Sequence, residues 1–157
     1  MASSSASSGG DFLSKKSDLN QLRKGLPPLQ SVLIVEDENI DADRLAATLR
    51  VMFGYDLEIR RAATLGSAVD RVLEKKPQLL FLDDVLKPSD EAGQTIPFLR
   101  RAEYTGPIVV VSGRATRKRR VELLAAGATD VIHKDDVDSV RLAEALVRVF
   151  GTSAKSA

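Results

Sequence analysis

With 157 residues, 43% of them hydrophobic and 29% charged, the chain has the composition of an ordinary globular protein and room for one domain. Its 23 basic and 22 acidic side chains leave a formal net charge of +1, which makes no electrostatic case for nucleic acid or an anionic membrane as partner. Cysteine is absent and His133 is the single histidine, so disulfides, thiolate chemistry and multi-histidine metal sites are excluded. No apolar run approaches the ~20 residues that span a bilayer, and the N-terminus lacks the apolar stretch of a secretory signal. A cytoplasmic protein is expected.

Residues 1–10 (MASSSASSGG) are low-complexity and predict disorder. Residues 11–24 predict either a short helix, ended by Gly25 and Pro27-Pro28, or a frayed tail. From Ser31 the pattern becomes regular. Ser31–Val35 (SVLIV) reads as a strand buried on both faces. Asp41–Met52 carries apolar residues at helical spacing (Leu45, Ala46, Leu49, Met52). Leu57–Ala62 reads as a weaker strand, Gly66–Lys75 as a helix and Leu79–Leu82 as a buried strand. A long loop follows, then a helix over Ile96–Ala102. Ile108–Val111 reads as a strand, Arg114–Ala126 as a basic-faced helix closed by Gly127, Asp130–His133 as a fifth strand, and Asp138–Phe150 as a last helix ended by Gly151. Five alternations with no room for antiparallel hairpins imply right-handed crossovers and a parallel sheet covered by helices on both faces.

In such open sheets the site lies beyond the carboxyl ends of the strands. The first strand ends in Glu36-Asp37, the third in Asp83-Asp84, the fourth in Ser112-Gly113 and the fifth in His133-Lys134. Carboxylates gathered there raise one another's pKa, and a hard dication with oxygen ligands, Mg²⁺, relieves the conflict. Lys134 and Ser112 can meet the oxygens of a phosphoryl group. No glycine-rich phosphate loop is present, so a nucleotide site has little support.

The set SVLIVEDE, LLFLDD, PIVVVSG and GATDVIHK resembles the receiver domain of two-component response regulators, over residues 31–150. The resemblance implies a flavodoxin-like (βα)5 fold, a doubly wound parallel sheet of order 2-1-3-4-5. The N-terminal extension (1–30) and the tail (151–157) lie outside it. It also implies that Glu36 and Asp37 hold Mg²⁺, that Ser112 bonds the phosphorylated aspartate, and that Lys134 pairs with its phosphoryl group. The implied donor is a sensor histidine kinase or phosphotransfer protein. Two registers exist for the acceptor. A proline four residues on is usual in the family, and Pro88 holds that place relative to Asp84. Against this, Asp84 as acceptor would bury Asp83 in the strand with no evident partner, at a cost on the order of several kcal/mol. Asp83 is therefore favoured, with Asp84 as its exposed neighbour and the Val85 carbonyl as a further Mg²⁺ ligand.

Several departures from the family pattern bear on output. The loop VLKPSDEAGQTIP is longer than usual, and Lys134 is followed by Asp135-Asp136 instead of proline, with the two aspartates expected to start or cap the last helix. Val131 stands where an aromatic residue often accompanies the hydroxyl. The basic residues Arg114, Arg117, Lys118, Arg119 and Arg120 read as a solvated face or a docking and dimer surface. His133 reads as a packed or strand-end residue. With only GTSAKSA after residue 150, a single-domain regulator acting by protein contacts or as a phosphate sink is expected, with no nucleic-acid or membrane partner. The alternatives are an unphosphorylated interaction module and a Mg²⁺-dependent phosphatase.

Overall fold

The computed structural model of the chain describes residues 20–22, 24–87 and 90–156. Its elements are β1 (Ser31–Val35), α1 (Asn39–Phe53), β2 (Glu58–Ala62), α2 (Leu65–Glu74), β3 (Leu79–Asp83), β4 (Val85–Leu86), β5 (Asp90–Glu91), α3 (Ala92–Arg101), β6 (Ile108–Ser112), α4 (Arg117–Ala125), β7 (Asp130–His133) and α5 (Ser139–Ser156). β1, β2, β3, β6 and β7 form one parallel sheet in the order β2-β1-β3-β6-β7. Counting only its own strands, that is the expected 2-1-3-4-5.

The central strands β1 and β3 are buried at every position, as their continuous apolar runs require. Alternation along each strand divides the core in two. Ile34, Phe81, Val109 and Ile132 pack under α1 and α5, with Leu45, Leu49, Met52, Leu142 and Leu146. Leu33, Val35, Leu80, Leu82, Val110 and Val131 pack on the other face, under α2, α3 and α4. α2 opens on a reciprocal cap in which Thr64 and Ser67 each accept the other's backbone N–H.

Four features depart from the sequence reading by more than two residues. The long loop after β3 contains an antiparallel pair, Val85–Leu86 against Asp90–Glu91, so one small hairpin interrupts the alternation. It leads directly into α3, which starts at Ala92, not Ile96; the Ala92 N–H is held by the Asp84 carbonyl at 2.7 Å. α4 starts after Thr116, whose hydroxyl accepts from Arg119 N at 3.1 Å, so Arg114 precedes the helix. α5 continues through Gly151 to Ser156: one glycine costs about 1 kcal/mol in a helix, and no proline follows to break it. Gly127, with φ of 115°, does terminate α4 as expected.

Residues 20–22 and 24 are helical, and Leu22, Leu26 and Leu29 pack against the core beneath α1 and α5. The expected disorder of residues 1–10, and the expected helix over 11–19, lie outside the described residues.

Candidate functional site

The carboxyl edge of the sheet carries two constellations, one on each face, and strand alternation sorts them. Asp83 continues the Phe81 row toward α1 and α5. Asp84 continues the Leu82 row toward α4, with its N–H still bonded to the Val111 carbonyl at 3.0 Å.

On the first face, Glu36, Asp37 and Asp83 each offer a carboxylate oxygen, all within 4.8 Å of one another. Lys134 reaches into this cluster from the end of β7. Its Nζ lies 3.2 Å from Asp83 Oδ1, 3.4 Å from Glu36 Oε1 and 3.2 Å from Asp41 Oδ2. Burial works against the ammonium, but Asp83, Glu36 and Asp41 outweigh it and hold Lys134 above its ordinary range. One cation does not balance so many carboxylates. Burial and the adjacent Asp83 carboxylate accordingly push Glu36 up to about 9. Its Oε2 is buried with no hydrogen-bond partner. An orphaned carboxylate oxygen beside two further carboxylates is a donor set that fits a hard dication such as Mg²⁺. Arg61, from β2, steadies the turn carrying these residues by donating twice to the Glu36 carbonyl (3.1 and 3.0 Å) and once to Asn39 Oδ1 (2.6 Å).

On the second face Asp84 is 2% exposed, which corrects the expectation of an exposed neighbour. It is not unpartnered either. Arg119, from α4, forks onto it, with Nε 3.1 Å from Oδ2 and Nη2 on Oδ1, and Ser112 Oγ donates to Oδ2 at 2.7 Å. Burial pushes the Asp84 carboxyl up, but Arg119 and Ser112 together bring it below the usual range. Ser112 also accepts the Arg114 N–H at 3.0 Å. The hydroxyl expected at a phosphorylated aspartate is thus engaged by the residue next to it.

The remaining site expectations fall as follows. Val85 begins β4 and is 40% exposed. His133 is half-buried, its Nδ1 accepting from Asp135 N at 3.0 Å. Asp135 and Asp136 sit in a short 3-10 turn, Lys134–Asp136, while Asp138 caps α5 by accepting from Arg141 N at 2.9 Å. Val131 is buried, and its carbonyl accepts from Arg120 at 2.7 Å. Two of the basic residues of α4, Arg119 and Arg120, are therefore tied to buried acids, Asp84 and Asp130. Sequence reasoning missed Asp41, Arg61 and Arg119. Alternation could have found the split: Ser112 shares the Val110 row, as Asp84 shares that of Leu82.

The chain belongs to the response regulator receiver domain family, whose model matches residues 32–147. It is 30% identical over 118 residues to the TorCAD operon transcriptional regulatory protein TorR of Escherichia coli O157:H7, covering 75% of this chain and 47% of that protein. It is 31% identical over 127 residues to the transcriptional regulatory protein PrrA of Mycobacterium tuberculosis, covering 80% and 53%. The chain thus spans about half the length of these relatives. Among solved structures, NtrX from Brucella abortus superposes with a TM-score of 0.70 at 26% identity, over 82% of this chain and 28% of that one. The BeF3-activated N-terminal receiver domain of Klebsiella pneumoniae RstA, at 24% identity and a TM-score of 0.63 over 75% and 97%, shares the fold. Receiver domains are signalling modules of two-component systems; they take part with histidine kinases or phosphotransfer proteins and generally bind Mg²⁺ at an acidic pocket. Among the described residues, no helix is long and apolar enough to cross a membrane.

Proposed function

We propose that the chain is a phosphorylation switch whose acceptor is Asp83. The observation that carries this assignment is the division of labour between the two neighbouring aspartates. Asp83 lies with Glu36 and Asp37 and faces the Lys134 ammonium at 3.2 Å. Both Asp84 oxygens are already taken by Arg119 and Ser112.

An Asp83 oxygen attacks the phosphorus of a phosphohistidine on a sensor kinase or phosphotransfer protein. The O–P bond forms as the N–P bond breaks, and the departing imidazole nitrogen takes up a proton. Lys134 stabilises the charge on one phosphoryl oxygen and Ser112 donates to another, electrostatic positioning being the main lever in this chemistry. Glu36, Asp37, Asp83 and the Val85 carbonyl would hold Mg²⁺, which when bound neutralises charge on the carboxylates and the phosphoryl group. The acyl phosphate favours the state in which Lys134 and Ser112 are both bonded to it. Output passes through protein contacts on the face formed by α4, β7 and α5, also the place for a homodimer, or the protein drains phosphate from a kinase.

The rival readings fare less well on particulars. A phosphatase on a related fold needs a second acid two residues after its nucleophile, and Val85 stands there. A purely structural module has no use for three clustered carboxylates, which cost stability unless they bind something. Labelled phosphoryl uptake by Asp83→Asn and Asp84→Asn tests the assignment: the first loses labelling and the second retains it. Labelling retained in Asp83→Asn contradicts it.

A further inference from the structure

Helix α4 sits lightly on the sheet. Leu123 is its one buried residue, and nine residues are too few for a helix to be stable alone. Two adjacent arginines anchor it instead. Arg120 donates to Asp130 Oδ1 at 2.6 Å and to the Val131 carbonyl at 2.7 Å, and Arg119 forks onto Asp84. The second anchor ends on the carboxylate that also holds the Ser112 hydroxyl.

Ser112 has one proton to give. Its oxygen accepts the Arg114 N–H, and an ionised Asp84 donates nothing, so the hydroxyl directs its proton at Asp84 Oδ2. That proton cannot at the same time serve a phosphoryl group on Asp83. We infer that Asp84 is a positioning residue, a latch that holds the Ser112 hydroxyl off the acceptor and, through Arg119, makes release of that hydroxyl felt at α4. When Ser112 turns to the phosphoryl oxygens, Asp84 loses a hydrogen bond in a buried setting while negative charge arrives on the next residue. The Asp84–Arg119 pair then shifts, and the first turns of α4 loosen with it. Such an exchange supplies a route from site to surface that needs no aromatic ring at Val131. It rests on Asp83 being the acceptor.

Beryllofluoride with Mg²⁺, the acyl-phosphate mimic, is the probe, and its affinity is measured calorimetrically for wild type, Asp84→Ala, Ser112→Ala and the double variant. Removing Asp84 also removes a nearby charge, so the comparison between backgrounds decides. The latch predicts that Asp84→Ala tightens binding about tenfold more when Ser112 is present than in the Ser112→Ala background, about one charge-assisted hydrogen bond's worth of coupling. Equal gains in both backgrounds overturn it. Hydrogen exchange on the wild type needs no variant: amides of Arg117–Ala125 exchange faster with beryllofluoride while those of α2 do not change. Binding with unchanged α4 exchange overturns the link to the helix and leaves the acceptor assignment intact. No binding by the wild type overturns the assignment and the latch together.

Discussion

Asp83 and Asp84 are adjacent in sequence, equally buried to within a few per cent, and opposite in what surrounds them. The face of Asp83 has three carboxylates in close company and a lysine shared by two of them, Glu36 and Asp83, with Asp41. The face of Asp84 has a guanidinium fork, tied on its other side to the exposed Glu122 at 3.2 Å, and a hydroxyl. The first is an electrostatically unfinished cluster that a cation or a phosphoryl group would complete; the second is complete without either. Burial alone therefore does not distinguish the two acids. The balance of charge and hydrogen bonds around it does.

The largest expected difference between the two is in stability. Asp84→Ala leaves Arg119 to the exposed Glu122 and strips a buried hydroxyl of its acceptor, and should lower the unfolding free energy by about 3 kcal/mol. Asp83→Ala relieves repulsion with Glu36 while giving up its contact to Lys134, and should leave metal-free stability within about 1 kcal/mol of wild type. Urea titrations measure both, and equal losses would erase the distinction. Next in size is Lys134→Ala, which should cut phosphoryl uptake about a hundredfold with the fold retained, read from labelling rates and far-UV circular dichroism.

The faces should also differ in the sign of their pH response. Asp84 is depressed in the folded state, so its contribution is present above its ordinary value of 3.8 and is lost as the pH falls through the folded value. Glu36 is raised from 4.5 to about 9, so its contribution is present below 4.5 and is lost as the pH climbs toward 9. Without metal, denaturation midpoints should decline from pH 5 to 9, Glu36→Gln should flatten that limb, and Asp84→Asn should flatten the acid limb instead. The smallest effect concerns the acyl phosphate itself. Val85, apolar and 40% exposed, cannot orient a water, so phosphate loss should be slow and Val85→Asn should hasten it a few-fold. A wild-type half-life of seconds would contradict this.

Much of this was legible in the sequence because it depends on local pattern. Apolar runs ending in Glu36-Asp37, Asp83, Ser112 and Lys134 placed the strands, and the carboxyl-edge rule then pointed to the edge where Glu36, Asp37, Asp83 and Lys134 gather. What escaped depends on partners distant in sequence. Arg119 meets Asp84 across 35 positions, through a helix whose start was set by the Thr116 cap, and no periodicity announces such a pair. Asp84 was expected at the surface because a lone aspartate there is cheaper exposed than buried; the guanidinium reverses that cost. The hairpin after β3 is only two residues on each side, too short to leave an alternating signature.

The central claim is the assignment of the acceptor to the unfinished face. After phosphoryl transfer from a labelled kinase, borohydride reduction converts an aspartyl phosphate to homoserine, and mass spectrometry of the peptide spanning β3 locates the modified residue. The account predicts homoserine at position 83 and unmodified aspartate at position 84. Homoserine at 84 would contradict it.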